Sequence, residues 1–283
     1  MVLIVDSGAT KSDWIALDDK GKELFITQTL GLSPEVLTRE VIEDRLANNF
    51  ELSRNRQKIS HLYFYGAGCG TERMKKFLKS IFKKYFPKAG VDIKEDTFAA
   101  IYSTTKLGHQ GIVCILGTGS NCSYYDGRQL FQKVTSLGYI PMDDGSGNFF
   151  GRKLLRDYYF NKMPQELGIK FAKDFDLDAD TIKENLYKQP NPNTYLATFA
   201  RFLIENKDHP YCKGVIDKGL QQFVNNYIMQ FELATKVPIH FVGSIAHFLK
   251  DELTRVLERN DLIPGVIRRR PIEGLVEFHR ETI

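Results

Sequence analysis

Two stretches of the chain share one pattern of apolar and polar positions. In each, a β-branched apolar run stops at a short glycine-bearing turn and resumes as a strand with alternating polar positions. The two turns are Asp6–Lys11 and Gly117–Asn121. A repeated supersecondary unit of this kind predicts two similar lobes that face each other across a cleft, with a ligand held between the two turns.

Three short strands are predicted around each turn. They are Val2–Val5, Trp14–Leu17 and Glu23–Thr27 in the first frame, and Ile112–Leu116, Cys122–Tyr125 and Gln129–Phe131 in the second. Apolar residues at helical spacing predict amphipathic helices between further strands, among them a helix that begins at Pro34. The further predicted strands are His61–Tyr65, Val91–Lys94 and Ile239–Val242. Strands and helices in this order predict an α/β protein.

Composition limits the class of protein. Of 283 residues, 42% are hydrophobic and 26% are charged, as in soluble globular proteins. The net charge of +4 comes from 39 basic and 35 acidic residues and gives no reason to expect a nucleic acid partner. The four cysteines lack metal-binding spacing, which favours a reducing cytoplasm. No apolar run approaches about 18 residues, so we expect neither export nor membrane insertion.

Both turns have the composition of a phosphate-binding loop. Converging backbone N–H groups and hydroxyls bind an anion, and glycine lets the backbone approach it closely. The residues that meet this demand are Gly8, Thr10, Gly117, Thr118, Gly119 and Ser120. Lys11 would neutralise phosphate charge, and Asp6 would hold a hydrated Mg²⁺. Each turn alone is better explained as an ordinary hairpin, whereas the two together leave both interpretations level.

Three carboxylates are candidates for catalysis or binding. Asp96 ends a short predicted strand, where it could act as the base that a substrate hydroxyl needs to attack a phosphate. Its position alone favours the N-cap of the following helix instead. Asp143 and Asp144 lie in a Gly/Ser loop, where they either accept hydrogen bonds from sugar hydroxyls or cap a helix.

Two further segments have competing interpretations. The pair Gly243-Ser244 lies where a strand turns into a helix, and the missing Cβ would let an adenine or ribose lie against the backbone. A strand end followed by a helix cap explains the pair equally well. The run Arg268–Arg270 has no interleaved aromatic residue and is interpreted as a solvated segment.

Four motifs, in order along nearly the whole chain, resemble those of the sugar kinase, Hsp70 and actin superfamily. Asp6–Lys11 and Leu116–Asn121 resemble its two phosphate motifs. Asp143–Gly147 resembles the Gly-Asp-Glu-Gly-Ser element of N-acetylglucosamine kinases and of the related BadF/BadG/BcrA/BcrD ATPase group. Val242–Ser244 resembles the adenosine motif of these proteins.

The resemblance implies an actin-like ATPase fold. Such a fold has two ribonuclease-H-like lobes, each a mixed sheet flanked by helices, with ATP and Mg²⁺ bound in the cleft between them. The implied N-terminal lobe comprises residues 1–108 and a closing helix within 271–283. The implied C-terminal lobe comprises residues 109–270 and includes a helical insertion.

The resemblance also implies a set of site residues. Asp96 matches the catalytic aspartate of the family, which reverses the preference for a helix cap. The residues expected to bind ATP or its phosphates are Gly8, Thr10, Lys11, Gly117, Thr118, Gly119, Gly243 and Ser244, with Asp6 as the metal ligand. Those expected to bind the sugar are Ser33, Ser120, Asn121, Asp143 and Gly145.

Four positions depart from the usual pattern of the family. Met142 and Ala9 replace glycines, Asp144 replaces a glutamate, and Ser33 lies where many members carry asparagine. Ser33 also suits the cap of the helix predicted to begin at Pro34. These changes affect the sugar side more than the nucleotide side, so the phosphoryl donor is better defined than the acceptor.

The expected function is ATP-dependent phosphorylation of a small-molecule amino sugar, N-acetylglucosamine or glucosamine, by a cytoplasmic enzyme. Two alternatives remain open. One is an ATPase that activates a partner dehydratase, and the other is a sugar or nucleotide sensor without chemistry. The sequence leaves open which sugar is bound and whether the protein forms a homodimer.

Overall fold

The computed structural model describes residues 1–8, 11–106 and 108–281. The chain divides into two compact units. The first comprises Met1–Lys106 and Arg270–Ile283, and the second comprises Leu107–Arg269. Among the described residues, no helix combines the length and the apolar character needed to cross a membrane.

The first unit is built on a five-stranded mixed sheet. Its strands are β1 (Val2–Ser7), β2 (Lys11–Leu17), β3 (Glu23–Leu30), β4 (His61–Gly66) and β5 (Gly90–Glu95). Their order in the sheet is β3-β2-β1-β4-β5. The pairs β1–β2 and β2–β3 are antiparallel, and β1–β4 and β4–β5 are parallel. Its first four helices are α1 (Arg39–Ala47), α2 (Phe50–Asn55), α3 (Glu72–Tyr85) and α4 (Asp96–Thr104).

The second unit repeats this topology strand for strand. Its strands are β6 (Gly111–Leu116), β7 (Ser120–Tyr125), β8 (Leu130–Phe131), β9 (Pro238–Val242) and β10 (Ile263–Arg268), in the order β10-β9-β6-β7-β8. The pairs β6–β7 and β7–β8 are antiparallel, and β6–β9 and β9–β10 are parallel. The predicted α/β fold with two similar mixed sheets is therefore confirmed.

Most helices of the second unit lie between β8 and β9. They are α5 (Gly147–Tyr159), α6 (Gln165–Asp174), α7 (Ala179–Tyr187), α8 (Pro192–Thr198), α9 (Ala200–Glu205) and α10 (Pro210–Asn226). Two more, α11 (Ser244–Phe248) and α12 (Lys250–Arg259), join β9 to β10. The last helix of the chain, α13 (Pro271–Arg280), belongs to the first unit and packs on α4.

Alternation along β1 shows how helices cover the first sheet. Leu3 and Val5 join a buried cluster that includes residues of α1, α2 and α3. Ile4, which points to the opposite face, joins a cluster with residues of α4 and α13. Because helices bury both faces, the strand ends are the places where polar side chains of this sheet can meet a ligand.

The helix predicted from Pro34 begins later than expected. It starts at Arg39 with Thr38 in the N-cap position, and the residues before it form a turn in which the Leu37 N–H donates to the Ser33 carbonyl at 3.2 Å. The prediction that Ser33 caps this helix is therefore wrong.

The strand β10 was not predicted. Pro264 and Gly265 interrupt its apolar alternation, and its pairing with β9 shifts register between Pro264 and Ile267. Arg268 is the last residue of this strand and is partly exposed, whereas Arg269 and Arg270 after it are exposed, as expected of a solvated segment.

Candidate active site

Three parallel strands of the first unit end at one edge of the sheet. Ser7 of β1, Gly66 of β4 and Glu95 of β5 lie in one row of the register. Gly8 of the first turn and Asp96 of α4 follow directly, about 10 Å apart across two strand spacings. Ligands of α/β proteins bind at this carboxyl edge. The first turn and Asp96 are therefore placed together.

Hydrogen bonds of Ser7 shape the first turn. The Ser7 Oγ accepts from the Ser12 hydroxyl at 2.7 Å and from the Leu32 N–H at 3.1 Å. The Gly8 N–H donates to the Lys11 carbonyl at 2.9 Å, and this hydrogen bond closes the turn. Among the residues that the structure describes, a methyl group added at Gly8 would meet only that carbonyl, at 3.7 Å, so these residues leave space for a ligand beside it. Thr10 lies outside the described residues.

Two carboxylates face each other beside this turn. Asp6 of β1 lies directly opposite Asp13 of β2. Asp13 is buried, accepts a hydrogen bond from Gln28 Nε2 at 2.7 Å and pairs with Lys11 Nζ at 3.1 Å. Burial and the charges of Asp13 and Asp96 raise the pKa of Asp6 to about 7, although Lys11 opposes this shift. The sequence analysis missed Asp13, even though strand alternation places it on the same face as Lys11.

This pair of carboxylates bears on the predicted magnesium ion. Like charges directly opposite each other destabilise a sheet, and a divalent cation would neutralise them. Among the described residues, no group of three or more His, Cys, Asp or Glu side chains could hold a metal. Mg²⁺ commonly uses only one or two carboxylates together with substrate phosphates, and Asp6 fits that arrangement.

Asp96 is the first residue of α4 and is half-buried. Burial raises the pKa of its carboxyl, the charge of Glu95 adds to this, and hydrogen bonds from the N–H groups of Thr97 and of Asp96 itself oppose it. Glu95 occupies the N-cap position without a capping bond from its side chain. The Asp96 carboxylate thus contacts the helix N-terminus and also stands at the sheet edge, so the geometry is compatible with both roles considered from sequence.

Ser33 packs under the loop that follows β4. Its side chain is buried, and a methyl group added at Gly68 would meet the Ser33 Oγ at 2.5 Å. Gly68 has a positive φ of 78°, which favours glycine in any case. Ser33 therefore lies against a backbone loop of the first unit, and its role in sugar binding stays a prediction.

The second turn is held by the N-terminus of α5. The Gly117 N–H closes the turn by donating to the Gly119 carbonyl at 3.0 Å. The N–H groups of Gly147 and Asn148 donate to the carbonyls of Gly117 and Thr118, at 2.8 and 3.0 Å. The Thr118 residue is exposed, and a methyl group added at Gly117 would meet no atom of the described residues within 4 Å. This turn therefore also borders open space.

Asp143 reaches the second turn through its side chain. Its Oδ1 accepts from the Ser120 N–H at 3.3 Å, and its Oδ2 accepts from Asn148 Nδ2 at 2.8 Å. Its own N–H donates to the Tyr227 hydroxyl at 3.2 Å. Its φ of 69° is unusual for a residue other than glycine. Two predicted sugar-binding residues, Asp143 and Ser120, are thus brought together in one unit.

The neighbouring Asp144 has a different set of partners. It is buried and accepts hydrogen bonds from Gln222 Nε2 at 3.0 Å and Asn226 Nδ2 at 2.7 Å, both on α10. Ser146 caps α5 by accepting from the Phe149 N–H at 3.3 Å. Neither aspartate caps the helix, so that alternative is wrong, and Asp144 anchors the loop to α10.

Gly145 and Asn121 have structural contacts of their own. Gly145 has a φ of 69°, and a methyl group added there would crowd Phe223 of α10 at 3.1 Å. The Asn121 Oδ1 on β7 accepts from the Ser123 hydroxyl and from Gln132 Nε2, each at 3.4 Å. Contacts of these residues with a sugar stay predictions.

Gly243 packs directly against the second turn. A methyl group there would collide with the Leu116 carbonyl, and φ is 130°. Ser244, which begins α11, is exposed and borders a cavity of about 750 Å³. Thr198, Arg201 and Phe248 are among the other residues that line it. The volume suits a small ligand of nucleoside size.

Solved structures of sugar kinases resemble this structure over nearly its whole length. A putative N-acetylglucosamine kinase from Porphyromonas gingivalis is 32% identical over 99% of both chains, with a TM-score of 0.92. The chain therefore belongs to the family of this Porphyromonas gingivalis protein.

More distant structures share the fold. A putative N-acetylglucosamine kinase from Chromobacterium violaceum is 15% identical over 98% of both chains, with a TM-score of 0.67. A ROK family glucokinase from Streptomyces griseus, solved with glucose and AMPPNP, is 14% identical over 98% of this chain and 97% of its own, with a TM-score of 0.57. The fold is that of the two-lobed sugar kinases. No family model and no curated protein matches the chain.

Proposed function

We propose that the protein is an ATP-dependent kinase that phosphorylates a hydroxyl of an amino sugar, N-acetylglucosamine or glucosamine. The observation that carries this proposal is the hydrogen bonding of the Asp143 carboxylate to the second turn through Ser120 and Asn148. Through these bonds the Asp143 carboxylate lies beside the second turn, which supports a sugar site next to a phosphate site. The 32% identity with a putative N-acetylglucosamine kinase supports the sugar class.

In the proposed reaction, Asp96 accepts the proton of the sugar hydroxyl while that oxygen attacks the γ-phosphorus of ATP in line. The bond from the γ-phosphorus to the bridging oxygen of ADP breaks, so the products are a sugar phosphate, ADP and a proton. Burial raises the pKa of Asp96, which makes this carboxylate a stronger base than an exposed one.

The remaining predicted residues would bind the two substrates. Those assigned to ATP are Gly8, Thr10, Lys11, Gly117, Thr118, Gly119, Gly243 and Ser244, with the adenosine in the cavity beside Ser244. Those assigned to the sugar are Ser33, Ser120, Asn121, Asp143 and Gly145. A carboxylate has about four acceptor positions. Ser120 and Asn148 occupy two of those on Asp143, so the others can receive sugar hydroxyls.

Asp6 would hold Mg²⁺ together with phosphate oxygens. When bound, the ion would neutralise charge on the transferring phosphoryl group. In the same proposal, residues 1–108 with 271–283 form one lobe and residues 109–270 form the other. Membership of the BadF/BadG/BcrA/BcrD group stays a prediction.

A coupled assay of ADP release across amino sugars, hexoses and acidic sugars tests the proposal. We expect turnover with N-acetylglucosamine or glucosamine, and only in the presence of Mg²⁺. Tight ATP binding without turnover on any sugar would contradict it and favour a sensor.

The alternative of a dehydratase activator is less well supported. All four cysteines are buried and free, and Cys114 and Cys122 face each other inside the second sheet with their sulfur atoms 3.4 Å apart. An iron–sulfur cluster that bridges two subunits needs thiolates at the protein surface.

A further inference from the structure

One buried amide joins the two predicted subsites of the second unit. Asn148 is fully buried in the first turn of α5. Its Nδ2 donates to the Thr118 carbonyl at 2.7 Å and to the Asp143 Oδ2 at 2.8 Å. Because both partners are acceptors, the orientation of the amide group is fixed by its surroundings.

We infer that Asn148 is a positioning residue, which fixes the sugar-binding carboxylate of Asp143 relative to the phosphate-binding turn at Thr118. This inference rests on the proposed function. Without the Asn148 side chain, the 3.3 Å hydrogen bond from the Ser120 N–H would be the one bond left to the Asp143 carboxylate from residues 1–8, 11–106 and 108–281. A carboxylate held at one long contact is free to rotate, and small displacements of a positioning group have large effects on catalysis.

The other atom of the same amide supports this role. The Asn148 Oδ1 is buried and has no hydrogen-bond partner in the described part of the chain. A buried unpaired acceptor lowers stability. An asparagine at this position is therefore better explained by the two hydrogen bonds that its Nδ2 donates than by a contribution to the stability of the fold.

Replacing the side chain should leave the local fold in place. The backbone N–H of Asn148 also donates to the Thr118 carbonyl, at 3.0 Å, and the Gly147 N–H holds the Gly117 carbonyl. These bonds do not depend on the side chain at position 148. Loss of the amide should therefore affect the orientation of Asp143 more than the position of the turn.

The test compares Asn148→Asp and Asn148→Ala with the wild type. Asn148→Asp keeps the shape of the side chain, removes the donors and places a second carboxylate against Asp143. We expect it to raise the KM for the sugar by about tenfold or more, with a change of less than about threefold in the KM for ATP. Asn148→Ala introduces no charge and should raise the sugar KM less than Asn148→Asp does. It provides the test if Asn148→Asp does not fold.

Asn55→Ala is the matched control. Asn55 is also a buried amide, and its Nδ2 donates to the carbonyl of Glu51 at 2.9 Å and to the carboxylate of Glu51 at 3.3 Å. It lies on α2 of the first unit and is not among the residues assigned to ATP, the sugar or the metal. We expect this variant to lower the melting temperature and leave both KM values unchanged.

A double-mutant cycle separates positioning from a general structural effect. If Asn148 acts through Asp143, Asn148→Ala should cause little further loss of kcat/KM for the sugar in the Asp143→Ala background. An equal loss in both backgrounds, or unchanged sugar KM in both Asn148 variants, would overturn the inference while the proposed function stands. Absence of sugar-dependent turnover in the wild type would overturn both.

Discussion

The two units share one topology but differ in the chemistry of the corresponding sheet edge. Asp6 lies two residues before Gly8, whose N–H closes the first turn, and it faces Asp13 across β1–β2. Ile115 lies two residues before Gly117, whose N–H closes the second turn, and it faces Asn121 across β6–β7. At this position the first unit therefore pairs two carboxylates, and the second pairs an apolar side chain with a neutral amide.

The surroundings of the carboxylates also differ between the two units. In the first unit, burial and neighbouring acids raise the pKa of Asp6 to about 7, and burial raises that of Asp96. In the second unit, Asp143 and Asp144 each accept two hydrogen bonds from neutral donors. In the proposed function, proton transfer and cation binding use carboxylates of the first unit, and a carboxylate of the second unit binds the sugar.

The largest expected effect comes from the first edge. Asp96→Asn keeps the size of the side chain and removes the base, so we expect kcat to fall by about 10³-fold or more with ATP affinity unchanged. Sugar-dependent ADP release and a titration with ATP measure the two quantities. Nearly full turnover in this variant would show that the first edge does not carry the chemistry.

Two glycines of the second edge provide a smaller, paired test. In Gly243→Ala the new methyl group collides with the Leu116 carbonyl at a φ of 130°, so we expect a loss of about 3 kcal/mol or more in the free energy of unfolding. In Gly117→Ala no atom in the described part of the chain lies within 4 Å of the new methyl group, so stability should be unchanged, whereas the KM for ATP should rise about tenfold. Thermal melts and steady-state kinetics distinguish the two variants. Equal effects on stability would contradict the assignment of open space at Gly117.

The smallest effect concerns the pH dependence of stability. The pKa of Asp6 is 3.8 ordinarily and about 7 in the folded protein, so between these values the folded state binds more protons. The contribution of Asp6 to stability therefore falls as the pH rises through this range, and stays low above it. Without nucleotide or metal, Asp6→Asn should melt roughly 5 °C above the wild type at pH 8 and close to it at pH 4.

The comparison of Asp6→Asn with the wild type is made at each pH. The buried His240 and His279 have pKa values lowered to about 4 by burial, and their contribution to stability is lost as the pH falls below about 6.5. These residues are present in both proteins, so their effect cancels. A difference in melting temperature that is constant from pH 4 to 8 would show that the Asp6 carboxylate is not strained by its neighbours.

Much of the fold could be predicted because its signals are local. The apolar runs and glycine turns of β1–β2 and β6–β7 each lie within about fifteen residues, and their likeness indicated the repeat. The strand β10 was missed because Pro264 and Gly265 break the alternation that identifies a strand. The segment is a strand because it pairs in parallel with β9, and no local sequence pattern encodes that pairing.

The site was harder to predict because its contacts are between distant segments. Asp13 gains its significance from the register that places it opposite Asp6. Tyr227 lies 84 residues from Asp143 along the chain, and its hydroxyl accepts a hydrogen bond from the Asp143 N–H. Asn148 was hidden for a different reason, since its two donor bonds depend on where α5 begins. Sequence motifs predicted which residues meet a substrate, and the tertiary structure shows which side chains hold those residues.

The most direct measurement is ³¹P nuclear magnetic resonance of the wild-type protein with ATP, Mg²⁺ and N-acetylglucosamine or glucosamine. The account predicts a sugar phosphate signal that grows in step with ADP, and no comparable consumption of ATP when the sugar is omitted. Release of inorganic phosphate at the same rate with and without sugar, and no sugar phosphate, would contradict it.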